Sequence, residues 1–418
     1  MKKVFYSTTS LLAFGLSGPT ELLAQDRAPL QVALIETLSG PEAATGALFV
    51  TAAEYEIAKL NEDGGYNGQP MKLVLLDSQG TPSGASDRVT EAVEQGIQVI
   101  MQGTSSGIAG QIIEDLRRYN TRHPTSPIIY INQAAEAREL TGAKCQFYHF
   151  KFALDAEMRL KGVAEAIKSE KVEATQVYAI NQDYSWGHDI EAAVKRNANV
   201  AGYTVVGSTL HDVSKIQDFS PYVSQISTSG ADTVITGNWG TDLLRLVKAA
   251  VDANLKARFI AMFLDLPGNV KGAGPSAEGQ YNVDVFNAEA SGNRGLALLE
   301  DFRAKTGTQD MVNSHFRAIL ALQFLGEALK QVDPVGGKIN VKAIAMAMER
   351  TKLDSAAGVV AMRPGDHQAI LPMTITQVSK DAAVKVEGTE FGFRPVVTIA
   401  GENAITPVQD TCKMQRAS

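Results

Sequence analysis

The chain has 418 residues, 44% of them hydrophobic and 20% charged, with a net charge of −7. That length exceeds one ordinary hydrophobic core, so two domains are expected. The acidic balance gives no electrostatic reason to expect nucleic acid as a partner, since its binders carry a basic face.

The first residues read as an export leader. Lys2 and Lys3 precede an apolar run through Leu11, Leu12, Phe14 and Leu16, and Leu22-Leu23-Ala24 offers cleavage after Ala24, so 1–24 is expected to be a signal peptide. No later run approaches the ~18 apolar residues of a membrane span. The two cysteines, Cys145 and Cys412, share no metal-ligand spacing. In an exported protein such a pair favours a disulfide closing a very long loop, the alternative being two unrelated buried thiols.

From residue 30 short β runs alternate with helical ones, the pattern of a parallel-sheet α/β architecture. A strand over 30–36 carries Val32, Leu34 and Ile35 and runs into the turn Leu38-Ser39-Gly40-Pro41. A helix over 45–61, a strand over 71–77 and a helix over 85–95 follow. The stretch 97–110, IQVIMQGTSSGIAG, is an apolar strand, then Gly103-Thr104-Ser105-Ser106-Gly107, then the start of a helix over 108–119. Such a turn presents hydroxyls and free N–H groups to an anion. It also spells the G-x-S-x-G elbow of hydrolases, with Ser105 as nucleophile and Asp265 with His315 or His367 completing the required order. Adjacent serines without a Gly-rich partner loop suit holding a ligand better than attacking one. A strand over 127–132 completes this unit, 133–144 is polar, and 147–152 is an extended crossing.

The pattern then begins again, with helices over 155–168, 187–199, 220–229 and 242–253 and strands over 176–180, 203–210, 232–236 and 258–263. Two α/β units in tandem leave a cleft between lobes, where a ligand sits. Beyond 279 come a strand over 280–285, helices over 296–304, 312–332 and 341–350, and a strand-and-turn tail with strands over 373–378 and 396–400. The expected lobes are 25–149 with about 279–357, and about 150–278 with 358–418. No histidine lies at metal-ligand spacing from another, and neither a phosphate loop nor a dinucleotide fingerprint occurs, so no metal or cofactor is expected.

Several pieces carry a resemblance: Leu38-Ser39-Gly40-Pro41, Asn181-Gln182-Asp183-Tyr184-Ser185-Trp186-Gly187, Asp218-Phe219-Ser220-Pro221-Tyr222, Gly237-Asn238-Trp239, Met362-Arg363-Pro364-Gly365-Asp366 and Cys412-Lys413-Met414. In this order they resemble the branched-chain amino acid-binding proteins of ABC transporters, from Leu30 to Met414. The resemblance implies a type I periplasmic-binding-protein fold: two lobes, each a mostly parallel sheet flanked by helices, joined by three hinge crossings. It implies a non-enzymatic, monomeric periplasmic protein that closes on a small amino acid or organic acid and hands it to a permease driven by ATPases, for uptake or, in the same fold, for sensing.

Carried over residue by residue, the resemblance places the ligand carboxylate on Ser105 and Ser106, with Ser106 the better match, and on the backbone at Ala134, Ala135 and Glu136. The second lobe contributes Tyr184 or Trp186 and Trp239 as aromatic covers. The amino-group partner departs from the family pattern, Asp265 being the nearest carboxylate. Without it, an aromatic or aliphatic acid becomes the better ligand. Glu136 is also unusual, since a second carboxylate beside a carboxylate site repels unless it points away.

Overall fold

The computed structural model describes Met1 and residues 29–213, 215–334 and 338–416; apart from Met1, the expected leader and its cleavage point lie outside the described residues. The first lobe is built from β1 (Gln31–Glu36), α1 (Ala43–Glu62), β2 (Lys72–Asp77), α2 (Pro82–Glu94), β3 (Val99–Gln102), α3 (Ser106–Arg122), β4 (Ile129–Asn132) and β5 (His149–Lys151). Its sheet runs β2-β1-β3-β4-β5, parallel throughout. Helices cover both faces of such a sheet, so its inner strands are apolar on both sides. Val32, Ala33, Leu34 and Ile35 are accordingly all fully buried, whereas edge strand β2 leaves Leu75 exposed. Thr81 starts α2 by accepting from the Gly84 N–H at 3.0 Å, with Pro82 in the first turn, where its missing N–H costs nothing.

After β5 the chain crosses to the second lobe. There follow α4 (Ala156–Lys168), β6 (Gln176–Gln182), α5 (Ser185–Ala201), β7 (Thr204–His211), α6 (Ser220–Thr228), β8 (Thr233–Thr236), α7 (Gly240–Asp252), β9 (Arg258–Ala261), α8 (Asn269–Ala273) and β10 (Tyr281–Asp284). Asp155 caps α4 by accepting from the Met158 N–H at 2.9 Å. Leu243, Leu246, Val247 and Ala250 put one stripe of α7 against the core.

The chain then recrosses into α9 (Gly292–Thr306), α10 (Asn313–Leu329), α11 (Val341–Arg350), β11 (Lys352–Ser355), β12 (Gly358–Met362) and β13 (Ala369–Ile370), and crosses a third time into β14 (Met373–Ser379), β15 (Gly392–Ile399) and α12 (Gly401–Ala404). Helix α10 packs on α1 and buries every residue except Gln323 and Glu327. The second sheet reads β15-β14-β10-β9-β8-β6-β7, with only β14 and β15 antiparallel to their neighbours.

The lobe boundaries read from the sequence shift in three places. Strand β10, expected with the first lobe from about 279, pairs with β9 and β14 in the second sheet, so the second crossing falls after Asp284. Strand β12, assigned to the second lobe from 358, instead pairs with β11 and packs beneath α11 on the first lobe. The tail returns to the first lobe as well: Cys412 forms a disulfide with Cys145, and the Gln409 amide donates to the Arg138 carbonyl at 2.7 Å. Hydrophobic pattern identifies a strand but not the sheet it joins.

Candidate ligand-binding site

The C-terminal ends of β1, β3 and β4 face those of β6, β8 and β9 across a cleft. Ligands of open parallel sheets bind outside such strand ends. From the first lobe Thr45, Phe49, Gly103, Thr104, Ser106, Ala134, Ala135 and Glu136 line it, and from α10 Ser314 and Arg317; Tyr184, Trp186, Trp239, Phe263 and Leu266 form the opposite wall.

Two turns build the first-lobe wall. A side chain at Gly103 would meet Gln133 and Ala134 at 2.8 and 2.9 Å, so glycine lets the turn after β3 nest against the turn after β4. Ser106 Oγ accepts from the Ala137 N–H at 3.1 Å, leaving its own O–H as a donor. The Ala135 N–H donates to Asn132 Oδ1 at 2.8 Å and is thereby removed from the three backbone donors expected. Those of Ala134 and Glu136 have no hydrogen-bond partner among the described residues. Lys151, fully buried, donates to the carbonyls of Glu136 and Ala137 at 3.0 and 3.3 Å and fixes this turn from behind. Burial lowers its ammonium pKa.

Ser105 does not line the cleft. It is the N-cap of α3, and the hydroxyl facing the second turn belongs to the next residue. Nor are the other members of the hydrolase reading its partners: His315 accepts from the Val312 N–H, His367 pairs with Glu349, and Asp265 binds Asn313.

Glu36, at the end of β1, was not anticipated. It is fully buried and accepts from the N–H groups of Gly103 and Thr104 at 2.6 and 3.2 Å, from the Gln133 amide at 2.9 Å and from the Thr104 hydroxyl. Burial outweighs these bonds and pushes its carboxyl up to about 8. At neutral pH it is therefore mostly protonated and does not repel an anion on the wall it braces. A lone carboxyl ending an apolar strand was the available signal.

The Glu136 side chain answers the repulsion raised by its sequence. Arg159 Nε and Nη2 donate to its two oxygens at 2.7 and 2.6 Å, and Arg317 Nη1 adds a third bond at 2.7 Å. Arg317 also pairs through Nε and Nη2 with Asp284, and Arg159 lies 3.4 Å from the same carboxylate. All four side chains are at most 3% exposed, and both guanidinium groups sit over the Phe263 ring at 5.5 and 5.6 Å. This network ties the first-lobe turn and α10 to α4 and β10 of the second lobe. Arg317, a lone charge inside the apolar run Phe316 to Leu325, was legible as an anomaly; its pairing was not.

On the second wall the Trp239 Nε1 donates to Tyr184 Oη at 2.8 Å, joining both aromatics into one cover. Trp186 is only 2% exposed; its Nε1 donates to the Gly237 carbonyl at 2.8 Å, so most of the ring packs inside the lobe and only part borders the cleft. Asp265 does not reach the cleft. Its Oδ2 accepts from the Asn313 N–H and side-chain amide at 2.7 and 3.1 Å, and it faces a neighbouring pocket with Phe286, Val312 and Thr374. The cause is local: cleft-lining Leu266 and Phe263 flank it and point the other way.

The comparisons agree with this geometry. Residues 29–383 match the family model described as periplasmic binding protein. The Leu/Ile/Val-binding protein homolog 4 of Brucella melitensis is 48% identical over 415 residues, 99% of each chain. The crystal structure of a leucine-, isoleucine-, valine-, threonine- and alanine-binding protein from Brucella ovis, in a closed conformation, is 49% identical with a TM-score of 0.87, covering 93% of this chain and 100% of that one. A solute-binding protein from Rhodopseudomonas palustris in complex with p-hydroxybenzoic acid shares the fold at 20% identity, with a TM-score of 0.77 over 90% of this chain and 98% of that one. Two lobes, three crossings followed by a returning tail, a carboxylate-compatible wall and a match along nearly the whole chain lead to one assignment: the protein belongs to the periplasmic binding protein family, as a solute-binding protein of the Leu/Ile/Val-binding type.

Proposed function

We propose that the protein captures a branched-chain or related small L-amino acid in the cleft and delivers it to an ABC importer. The observation that carries this reading is the first-lobe wall, where the Ser106 hydroxyl and the N–H groups of Ala134 and Glu136 are free to bind a carboxylate. Phe49, Tyr184, Trp239 and Phe263 suit the apolar side chain of such a ligand. The Brucella relatives, named for Leu, Ile and Val, support the ligand class. The mechanism is conformational: the open form admits ligand, closure buries it, and the closed form is what a permease with its ATPases engages. The protein acts in the periplasm as a monomer after removal of the leader, and does no chemistry on its ligand.

A second reading rests on Asp265. With that carboxylate turned away and Glu136 held by two arginines, the residues lining the cleft offer no uncommitted carboxylate for an ammonium, which favours a simple aromatic or aliphatic acid. Titration calorimetry with L-leucine, L-isoleucine and L-valine beside benzoate and 4-hydroxybenzoate separates the two. Tight binding of the amino acids supports the first reading, and binding confined to the benzoates replaces it with the second.

A further inference from the structure

The lobes also touch away from the ligand walls. Glu42, in the turn before α1 on the first lobe, reaches the start of α7 on the second. Its Oε1 accepts from Thr241 Oγ1 at 3.2 Å. Helix α7 has no side-chain cap of its own, because its N-cap position is occupied by Trp239. A carboxyl group beside a helix N-terminus also lies at the favourable end of the helix dipole. Here that group comes from the other lobe, so the contact exists only while the lobes are together.

The residue at 240 fits this contact. Gly240 has φ +61°, and a Cβ placed there would stand 2.0 Å from Glu42 Oε2. Glycine thus serves twice, allowing the left-handed backbone and leaving room for the carboxylate.

We propose that Glu42 is a positioning residue for ligand capture: by accepting from Thr241 at the start of α7 it ties the two lobes together, latches the closed cleft and holds Trp239 over the ligand. It touches no ligand and acts through Trp239, the residue immediately before α7. The latch has a pH signature. Burial raises the Glu42 carboxyl above its ordinary value. Facing it on α7 are Asp242, itself raised to about 7 by burial and in part by Glu42, and Arg245, which opposes both shifts. Tyr184 faces it from the turn before α5, and His211 of β7 lies 3.4 Å behind Asp242. In the open form Glu42 returns to water and an ordinary carboxylate pKa. Closure therefore takes up protons, and affinity rises as pH falls toward the ordinary carboxylate range.

A double-mutant cycle tests the latch, with calorimetry of whichever of L-leucine and 4-hydroxybenzoate binds the unaltered protein. Failure of leucine alone then counts against the ligand assignment and not against the latch. At a pH low enough for the carboxyl to carry its proton, Glu42→Ala is expected to weaken binding by roughly 3- to 30-fold. Gly240→Ala is expected to weaken it by about tenfold or more when Glu42 is present and by less than about twofold in the Glu42→Ala background, since backbone strain at 240 is common to open and closed forms. Circular dichroism melts of the unliganded variants check that each folds. Glu42→Gln is expected to flatten the pH dependence of affinity. The proposal is overturned if Gly240→Ala weakens binding by the same factor in both backgrounds, or if the pH slope survives in Glu42→Gln.

Discussion

Replacing Ser106 by Ala isolates the contribution of one hydroxyl to the carboxylate wall. Ser106 is 3% exposed, its oxygen accepts from the Ala137 N–H, and its proton is left to donate across the cleft. Deletion does two separable things. It leaves the Ala137 N–H without its partner in free and liganded protein alike, which lowers stability by about 1 kcal/mol. It also removes one donor to a buried anion, which weakens binding by roughly 1–3 kcal/mol, or about 5- to 150-fold in Kd. Ser105→Ala is the internal control, because that side chain stays off the cleft and its loss is expected to change Kd by less than about twofold. Calorimetry with L-leucine measures both variants, and urea unfolding measures the stability component. Equal affinities for Ser106→Ala and unaltered protein, or a larger effect from Ser105→Ala, would refute the reasoning.

Three further outcomes follow, two from buried charged residues and one from the disulfide. Arg159→Met leaves Glu136 and Asp284 short of a buried partner and should destabilise the fold by roughly 3–5 kcal/mol; urea unfolding showing less than about 1 kcal/mol contradicts this. Glu36, raised to about 8 in the fold from 4.5, stabilises most fully below pH 4.5 and loses that contribution as pH rises toward 8. Glu36→Gln should thus gain about 3 kcal/mol relative to the unaltered protein between pH 4.5 and 7, and parallel stability curves for the two would exclude the burial argument. The Cys145–Cys412 disulfide spans 267 residues, so Cys412→Ser paired with Cys145→Ser should cost roughly 2–5 kcal/mol, read as a lowered unfolding midpoint; an unchanged midpoint contradicts it.

What the sequence made legible is what local pattern encodes. The strand-to-helix turns at Ser106 and Ala134 announce themselves by an apolar run ending in small polar residues, and Trp239 follows a strand in a non-core setting. Trp186 occupies a similar turn, yet one hydrogen bond to Gly237, 51 residues away, draws most of it into the lobe. Glu136 illustrates the limit more sharply. Its isolated carboxylate reads as a liability beside an anion site, and only the meeting of Arg159, Arg317 and Asp284, 23 to 181 residues distant, turns it into a fastening between lobes. Strand β10 was visible as a strand, but its sheet was not, because nothing in Gln280 to Val285 names a neighbour.

The most direct test of the central claim, that the first-lobe wall holds the ligand by its carboxylate, compares L-leucine with L-leucinamide by calorimetry. The amide keeps the side chain and the ammonium but removes the negative charge that Ser106, Ala134 and Glu136 are arranged to receive. Tight binding of L-leucine and a loss of about 100-fold or more for the amide is the predicted result. Equal affinity for the two would contradict it.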